Sequence, residues 1–151
     1  GPPKIALTAG MPLSQAKALH KTYWERNKAV KLVAKSAIVK TLKYDNEEQM
    51  WLYNPVSKFW YSLRYEKDKF STLNQGTGVY CFDLWVREVR LSGIKIMLQY
   101  HDEIVLHLKT IEQDKVRTKL LKAIEKVNEI VKLNVPLGVS VDFGKTYADV
   151  H

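Results

Sequence analysis

The chain has 151 residues, enough for one domain with a hydrophobic core and too few for two full domains. Its formal net charge of +8 favours a polyanionic partner, with nucleic acid as the first candidate. A single cysteine, Cys81, excludes an internal disulfide and a cysteine-based zinc cluster, which favours a reducing, cytoplasmic environment. No apolar run reaches the roughly 20 residues of a membrane helix, so we expect no membrane contact. Gly1-Pro2 is typical of the remnant of a cleaved tag and is left out of the fold prediction.

The first part of the chain predicts helix. Apolar residues recur at spacings of three and four from Pro12 to about Leu42, and Pro12 suits the first helical position. The polar Asn27 falls on the apolar stripe, so one long helix and two helices meeting near residues 25–28 are both open. The polar stretch from Lys43 to Gln49 then predicts a loop.

The middle of the chain predicts an aromatic hairpin followed by a helix. Two β-forming triplets, Trp51–Tyr53 and Phe59–Tyr61, flank a stretch of turn-forming residues over 54–58. A helix is predicted from Thr72 to a stop at Gly93, because Gln75 follows Thr72 by three residues and completes a capping box.

The stretch Tyr100-His101-Asp102-Glu103-Ile104 is a polar break between two runs of alternating apolar residues, Ile94–Gln99 and Val105–Leu108. Period-two alternation on both sides predicts a β-hairpin that carries a histidine and two adjacent carboxylates at its tip. Carboxylates on a tight turn can hold Mg²⁺ with few protein ligands, which leaves positions for water and phosphate oxygens. On these residues alone, a solvated turn is the more ordinary interpretation.

The last third predicts a helix and a strand, which makes the whole chain α+β. The helix opens at Thr110, with Gln113 in the capping-box position, and runs to Val131 with apolar residues on one face. Val135–Val141 predicts a final strand, and Gly144 turns into a short tail.

Three motifs occur in one order along the chain: Gln75-Gly76-Thr77 at the head of a helix, His101-Asp102-Glu103 at a hairpin tip, and Val135-Pro136-Leu137 before an ending of the form Tyr147-x-x-x-His151. This order resembles the C-terminal part of the family-A, DNA polymerase I-like DNA polymerases, especially those of bacteriophages. The resemblance implies one domain, with residues 3–42 derived from the fingers helices and residues 43–151 from the palm. It further implies a small antiparallel sheet formed by the hairpin and the final strand.

The same resemblance implies catalytic roles for the hairpin tip. Asp102 and Glu103 would be the motif C carboxylates that ligate two catalytic Mg²⁺ ions, and His101 would touch the primer 3′ end. Two ions roughly 3.5–4 Å apart activate the primer hydroxyl and stabilise the leaving pyrophosphate.

Contacts to DNA are implied upstream of the hairpin. Gln75 would donate to minor-groove acceptors, where contacts test duplex geometry rather than sequence. Ser71 stands where the family commonly has Asn, and is carried over as a DNA contact. Phosphate contacts are implied for Arg64, Lys67 and Lys69.

Two expected motifs are missing from the sequence. It contains no motif A aspartate segment and no nucleotide-binding fingers helix, so the chain would supply half of an active site. The implied partners are primer–template DNA, deoxynucleoside triphosphates and the remaining polymerase portion, either as a separate chain or as a segment missing from this sequence. The implied location is the host cytoplasm if the source is a phage. Two alternatives stay open: a non-catalytic module that binds duplex DNA, and a metal-dependent nuclease that uses Asp102 and Glu103 with Asp142 or Asp149.

Overall fold

The fold is α+β, as predicted, in a computed structural model that describes residues 1–44 and 47–150. Among these residues, five α-helices occur with a three-stranded antiparallel sheet and a separate two-stranded sheet. The chain divides into two compact units, residues 1–74 and 75–151, and each is described by itself. No helix in the described ranges is both long enough and apolar enough to cross a membrane.

Three helices open the first unit: α1 (Pro2–Ala9), α2 (Leu13–Arg26) and α3 (Lys28–Ser36). Gly10, at φ 61°, ends α1 in the left-handed conformation that glycine adopts at little cost. Helices α2 and α3 meet at Asn27, whose side-chain amide donates to the carbonyl oxygen of Tyr23 at 2.8 Å. The two-helix alternative is therefore confirmed.

The predicted helix is wrong beyond Ser36. Residues Val39–Tyr44 form strand β1, which pairs antiparallel with β2 (Glu47–Tyr53), so that Thr41 lies opposite Met50. Cross-strand pairing overrides the helical spacing, since β-branched residues fit a pleated surface well. The predicted loop over Lys43–Gln49 is also wrong for residues 43–44 and 47–49, which lie in the strands. Its residues 45 and 46 lie outside the described residues.

The aromatic hairpin is confirmed as β2 followed by β3 (Trp60–Leu63), with the sheet order β1-β2-β3. Asn54 organises the connection between these two strands from a fully buried position. Its side-chain oxygen accepts the backbone N–H groups of Val56 and Ser57 at 2.9 and 3.2 Å, and its amide donates to the carbonyl oxygen of Leu73. A buried amide is stable in such a turn because its polar atoms are hydrogen-bonded.

Helix α4 (Lys69–Leu91) begins earlier than predicted. A 3-10 turn over Glu66–Asp68 leads directly into it, and the Ser71 hydroxyl donates to the carbonyl oxygen of Asp68 at 2.9 Å. Thr72 and Gln75 therefore lie inside the helix, so the predicted capping box is wrong. The predicted stop is confirmed at Gly93, which has φ 82° and follows the end of α4.

The core of the second unit lies between α4 and α5 (Gln113–Val131). Trp85 of α4 is buried there and donates its indole N–H to the carbonyl oxygen of Leu120 at 3.3 Å. Cys81 is buried in the same cluster, as predicted, and burial raises the pKa of its thiol. A 3-10 turn over Thr110–Glu112 precedes α5, and Glu112, rather than the predicted Gln113, accepts the backbone N–H of Lys109.

One buried carboxylate joins α4 to α5. Glu88 is 8% exposed, and its two oxygens pair with the guanidinium of Arg87 at 3.0 Å and the ammonium of Lys126 at 3.4 Å. The hydrogen bond from Arg87, followed by that from Lys126, holds the pKa of Glu88 below its usual range. The carboxylate therefore stays charged and paired at neutral pH.

The prediction of a strand over Val135–Val141 is wrong, because this segment pairs with no other strand within the described residues. The sheet of the hairpin is therefore two-stranded, without the final strand that was expected to complete it. The alternation nevertheless persists, since Leu137, Val139 and Val141 pack against the α4–α5 core while Gly138 and Ser140 are exposed. Asn128 fixes the start of this segment by exchanging two side-chain hydrogen bonds with the backbone of Leu137.

Candidate active site at the hairpin tip

The predicted hairpin is confirmed, with β4 (Leu98–Tyr100) and β5 (Glu103–Val105) joined by His101 and Asp102 alone. Its predicted bounds are wrong, because residues 94–97 and 106–108 lie in no strand while Tyr100, Glu103 and Ile104 do. His101 has φ 50°, and a positive φ at only the first central residue is typical of a type II′ turn, where glycine is favoured. A histidine in this conformation costs roughly 1–2 kcal/mol, and such strain concentrates at functional sites. Asp102 is exposed at the apex, and Glu103 is half-buried on β5.

Glu103 is oriented by the C-terminal segment. The phenol of Tyr147 donates to Oε1 of Glu103 at 3.2 Å. Partial desolvation of the phenol, followed by the adjacent charge of Glu103, raises the pKa of Tyr147, although the residue is exposed. The two carboxylates therefore differ in how they are held. Glu103 accepts a hydrogen bond from the phenol of Tyr147, whereas Asp102 lies at the exposed apex of the turn.

Asp149 holds the turn that presents Tyr147. Its carboxylate accepts the backbone N–H groups of Lys145 at 2.9 Å and Thr146 at 2.7 Å, at the start of a 3-10 turn over Tyr147–Asp149. These hydrogen bonds, that from Thr146 first, hold the pKa of Asp149 below its usual range. A side chain at Gly144 would overlap the Cβ atom of Asp149, so this turn requires glycine at position 144.

A groove of about 1090 Å³ begins at the hairpin tip and contains both carboxylates in its lining. Its walls are two stretches of consecutive residues, 102–108 and 138–147, and its lining includes the core residues Trp85 and Leu120. The hydrogen bond between Tyr147 and Glu103 joins the two walls at the hairpin end. Asp142, which was considered as a nuclease ligand, lines the second wall.

Gln75, the predicted minor-groove contact, is exposed on α4 in the second unit and does not line the groove. Gly76 beside it is buried, whereas a Cβ atom at Gly78 would meet nothing within 4 Å. Glycine in a helix interior costs about 1 kcal/mol relative to alanine. Gly78 thus leaves an open, side-chain-free surface on the helix that carries Gln75.

The four DNA contacts predicted in the first unit differ in their surroundings. Lys69 pairs with Glu66 at 3.2 Å, and its side chain is 19% exposed. Arg64 and Lys67 are exposed and lie over the ring of Tyr65, at 5.4 and 5.1 Å from its centroid. Ser71 is exposed, and its hydroxyl bonds to the preceding turn. Arg64 and Lys67 are therefore better placed than Lys69 to contact phosphate.

The donor chemistry of the tip suits Mg²⁺, which prefers carboxylate oxygens and retains several waters. This chain offers two adjacent carboxylates, Asp102 and Glu103, and within the described ranges no cluster of three or more His, Cys, Asp or Glu side chains could hold a metal ion. The residues present therefore fit part of a Mg²⁺ site that needs further ligands from substrate or partner.

Sequence reasoning placed the hairpin tip but missed how it is supported. The roles of Gly144 and Tyr147 depend on contacts with Asp149 and Glu103, and Glu103 lies 44 residues from Tyr147. The only sequence signal for this support is a glycine followed by a short polar turn, a pattern too common in loops to identify it. His151, part of the motif in the ending, lies outside the described residues.

Comparison with known protein families and curated proteins gave no match. The chain matches no known protein-family model, and it matches no curated protein. The functional proposal therefore depends on the residues of the hairpin and of the segments around it.

Proposed function

We propose that this chain is the motif C portion of a family-A DNA polymerase and supplies one part of a nucleotidyl-transfer site. The observation that carries the proposal is the hairpin tip, where exposed Asp102 occupies a two-residue turn directly before Glu103. The strained backbone of His101 supports it, because a histidine stands where glycine would fit with less strain, and such strain concentrates at functional sites. The remaining polymerase portion, as a separate chain or as a segment missing from this sequence, would supply the motif A aspartate and the fingers lysine.

In this proposal the residues of the tip have separate roles. Asp102 would be the main carboxylate ligand, and Glu103, oriented by Tyr147, would be the second. Bound Mg²⁺ would supply charge stabilisation for the primer hydroxyl and the pyrophosphate. His101, exposed and packed edge-on against the ring of Tyr100 at 4.4 Å, would contact the primer terminus.

Primer extension by complementation tests the proposal. We expect the isolated chain to extend no primer with Mg²⁺ and four nucleotides, and a fragment carrying motif A and the fingers helix to restore extension. Asp102→Ala should then abolish extension, because the site loses a bridging carboxylate. The matched control is Asp83→Ala, which removes an exposed aspartate from α4 and should retain activity. Primer extension by the isolated chain, absent from its Asp102→Ala variant, would contradict the half-site proposal.

The non-catalytic DNA-binding module is the second candidate, and the net charge of +8 favours it. It predicts that Asp102→Ala leaves duplex binding intact and that no complementing fragment produces extension. A nuclease would use Asp142 rather than Asp149 as its further ligand, since the carboxylate of Asp149 already accepts two backbone N–H groups in its own turn while Asp142 lines the groove with Asp102 and Glu103. Nicking of supercoiled DNA, lost on Asp102→Ala, would support that alternative instead.

A further inference from the structure

The three-stranded sheet of the first unit has two different faces. Residues directly opposite one another on antiparallel strands share a face, and so do alternate residues of one strand. Leu52 and Leu63 therefore lie on the same face, and both are buried. The opposite face, called the aromatic face below, carries three aromatic residues and a lysine: Trp51, Tyr53, Trp60 and Lys40.

Trp60 is the most exposed ring of the aromatic face. It is 37% exposed and lies opposite Tyr53, with the two ring centroids 5.2 Å apart and their planes inclined by 48°. The ammonium of Lys40 on β1 reaches across the central strand and lies 4.7 Å from the centroid of the Trp60 ring. The sheet thus presents an indole ring with a flexible cation over it.

The positive charge of the chain is concentrated in this unit. Residues 1–74 contain 13 lysines and arginines against 6 aspartates and glutamates, a formal charge of +7, whereas residues 75–151 carry +1. Such an excess of cations attracts a polyanion. Exposed Lys58 precedes β3 by two residues and exposed Arg64 follows it directly, so cations stand at both ends of the strand that carries Trp60.

We propose that the aromatic face binds single-stranded nucleic acid, with an unpaired base stacked on Trp60. Stacking of a base on an aromatic side chain typically raises affinity about 5- to 150-fold, whereas an exposed cation–π contact is worth only about two- to fivefold. A base should therefore displace Lys40 from the ring. The freed ammonium would then pair with a phosphate of the same strand.

The charge of the unit distinguishes this ligand from a neutral sugar, which can also stack on an exposed ring. A neutral sugar would gain nothing from the surrounding cations, while a nucleic acid strand supplies one phosphate for each base. The bases of a duplex stack on one another, so the ring requires unpaired bases. This inference depends on the sheet of the first unit alone and does not require nucleotidyl transfer at the hairpin tip.

Fluorescence anisotropy with the full chain tests the proposal. The probe is a labelled oligothymidylate ~10 nucleotides long, within the usual site size for such proteins, and its match is an abasic strand with the same phosphates. We expect the parent to bind the oligothymidylate about fivefold or more tightly than the abasic strand at the same salt concentration, because only bases stack. An oligouridylate bound equally well would support stacking and extend the ligand to RNA.

Variants of two tryptophans locate the effect. Trp60→Leu should remove most of the preference for the strand with bases, whereas Trp60→Tyr, which keeps a ring, should retain most of it. Trp24→Leu is the matched control, because Trp24 also lies beneath a lysine, Lys31 at 5.1 Å, but stands on α2 outside the sheet. It should keep the preference of the parent.

A variant of Lys40 tests its transfer from the ring to a phosphate. Lys40→Ala should lower the slope of log affinity against log salt for the oligothymidylate by about 0.7, the value for one phosphate of a single strand. Lys122→Ala, at an exposed position of α5, should leave the slope unchanged.

Three outcomes would overturn the proposal. Equal affinity of the parent for the two strands would show that phosphate contacts alone explain the binding. A Trp60→Leu variant with the full preference of the parent would place the bases elsewhere. A shift of the Trp60 indole signal in the NMR spectrum by maltohexaose, with none by oligothymidylate, would assign the aromatic face to carbohydrate. Primer extension by complementation is measured separately and decides the proposal for the hairpin tip.

Discussion

The phenol of Tyr147 donates a hydrogen bond to the carboxylate of Glu103 at 3.2 Å, across 44 residues of sequence. This contact fixes the C-terminal segment against the strand that follows Asp102. The orientation of the second carboxylate therefore depends on a turn that Gly144 and Asp149 build.

Glu103→Gln should bring the raised pKa of Tyr147 only part of the way back to the ordinary tyrosine value. Partial desolvation of the phenol, the larger cause of the raised pKa, remains, while the nearby negative charge is lost. Because the folded pKa is raised, the phenol contributes stability that is fully present below its unfolded pKa and is lost as the pH rises through the folded value. Titration of ¹³C-labelled tyrosine by NMR measures the shift, with Tyr147→Phe to assign the signal. An unchanged pKa in Glu103→Gln would show that the contact is absent in solution.

Gly144→Ala should destabilise the second unit by about 1–3 kcal/mol, the usual cost of an overpacked site, because the new methyl group overlaps the side chain of Asp149. Gly138→Ala is the matched control, since a Cβ atom at that position meets nothing within 4 Å. Thermal unfolding followed by circular dichroism compares the two. Equal melting temperatures would mean that the turn at Gly144 does not have this geometry.

Asp149 should make the C-terminal turn sensitive to acid. Its folded pKa is lowered, first by the backbone hydrogen bond from Thr146, so its contribution is present above the unfolded pKa and is lost as the pH falls through the folded value. The Asp149→Asn variant should therefore be less stable than the parent at neutral pH. At a pH well below the ordinary pKa of aspartate, the two proteins should be equally stable. Urea unfolding at several pH values measures this difference. Asp83→Asn, at an exposed site, should show no such convergence.

Gly78→Ala should stabilise the isolated chain by about 1 kcal/mol, because alanine favours the helix interior and nothing beyond the local helix backbone lies within 4 Å of the added Cβ. If DNA approaches α4 at this position, the same substitution should weaken binding to a primer–template duplex. Chemical unfolding and fluorescence anisotropy measure the two effects. A more stable variant with undiminished affinity would place the DNA elsewhere.

Binding to duplex DNA should fall steeply with salt. Lys67→Ala should lower the slope of log affinity against log salt by about 0.9, the value for one lost phosphate contact. Lys69→Ala should change it less, since Lys69 already pairs with Glu66. Gln75→Ala should leave the slope unchanged while impairing extension in the complemented enzyme, because it removes a neutral contact. Extension and mismatch sensitivity equal to the parent's would exclude a minor-groove role for Gln75.

Local patterns in the sequence were sufficient for several elements. Alternating apolar residues predicted the hairpin around Asp102, the aromatic triplets predicted the pair β2–β3, and Gly93 predicted the end of α4. Each depends on neighbours within a few residues, where side-chain period and turn conformation are set by the backbone itself. The apolar face of α5 likewise follows from its helical spacing.

Tertiary structure decided the remaining features. Val39–Tyr44 has helical spacing but becomes β1, because pairing with β2 satisfies its backbone and outweighs a weak local preference. The segment over 135–141 keeps its alternation yet forms no strand within the described residues, because a strand also needs a partner edge. The support of Glu103 by Tyr147 joins residues far apart in sequence, so no local pattern reports it. The sequence by itself thus determined which residues stand at the hairpin tip, and packing across long separations determined how that tip is held.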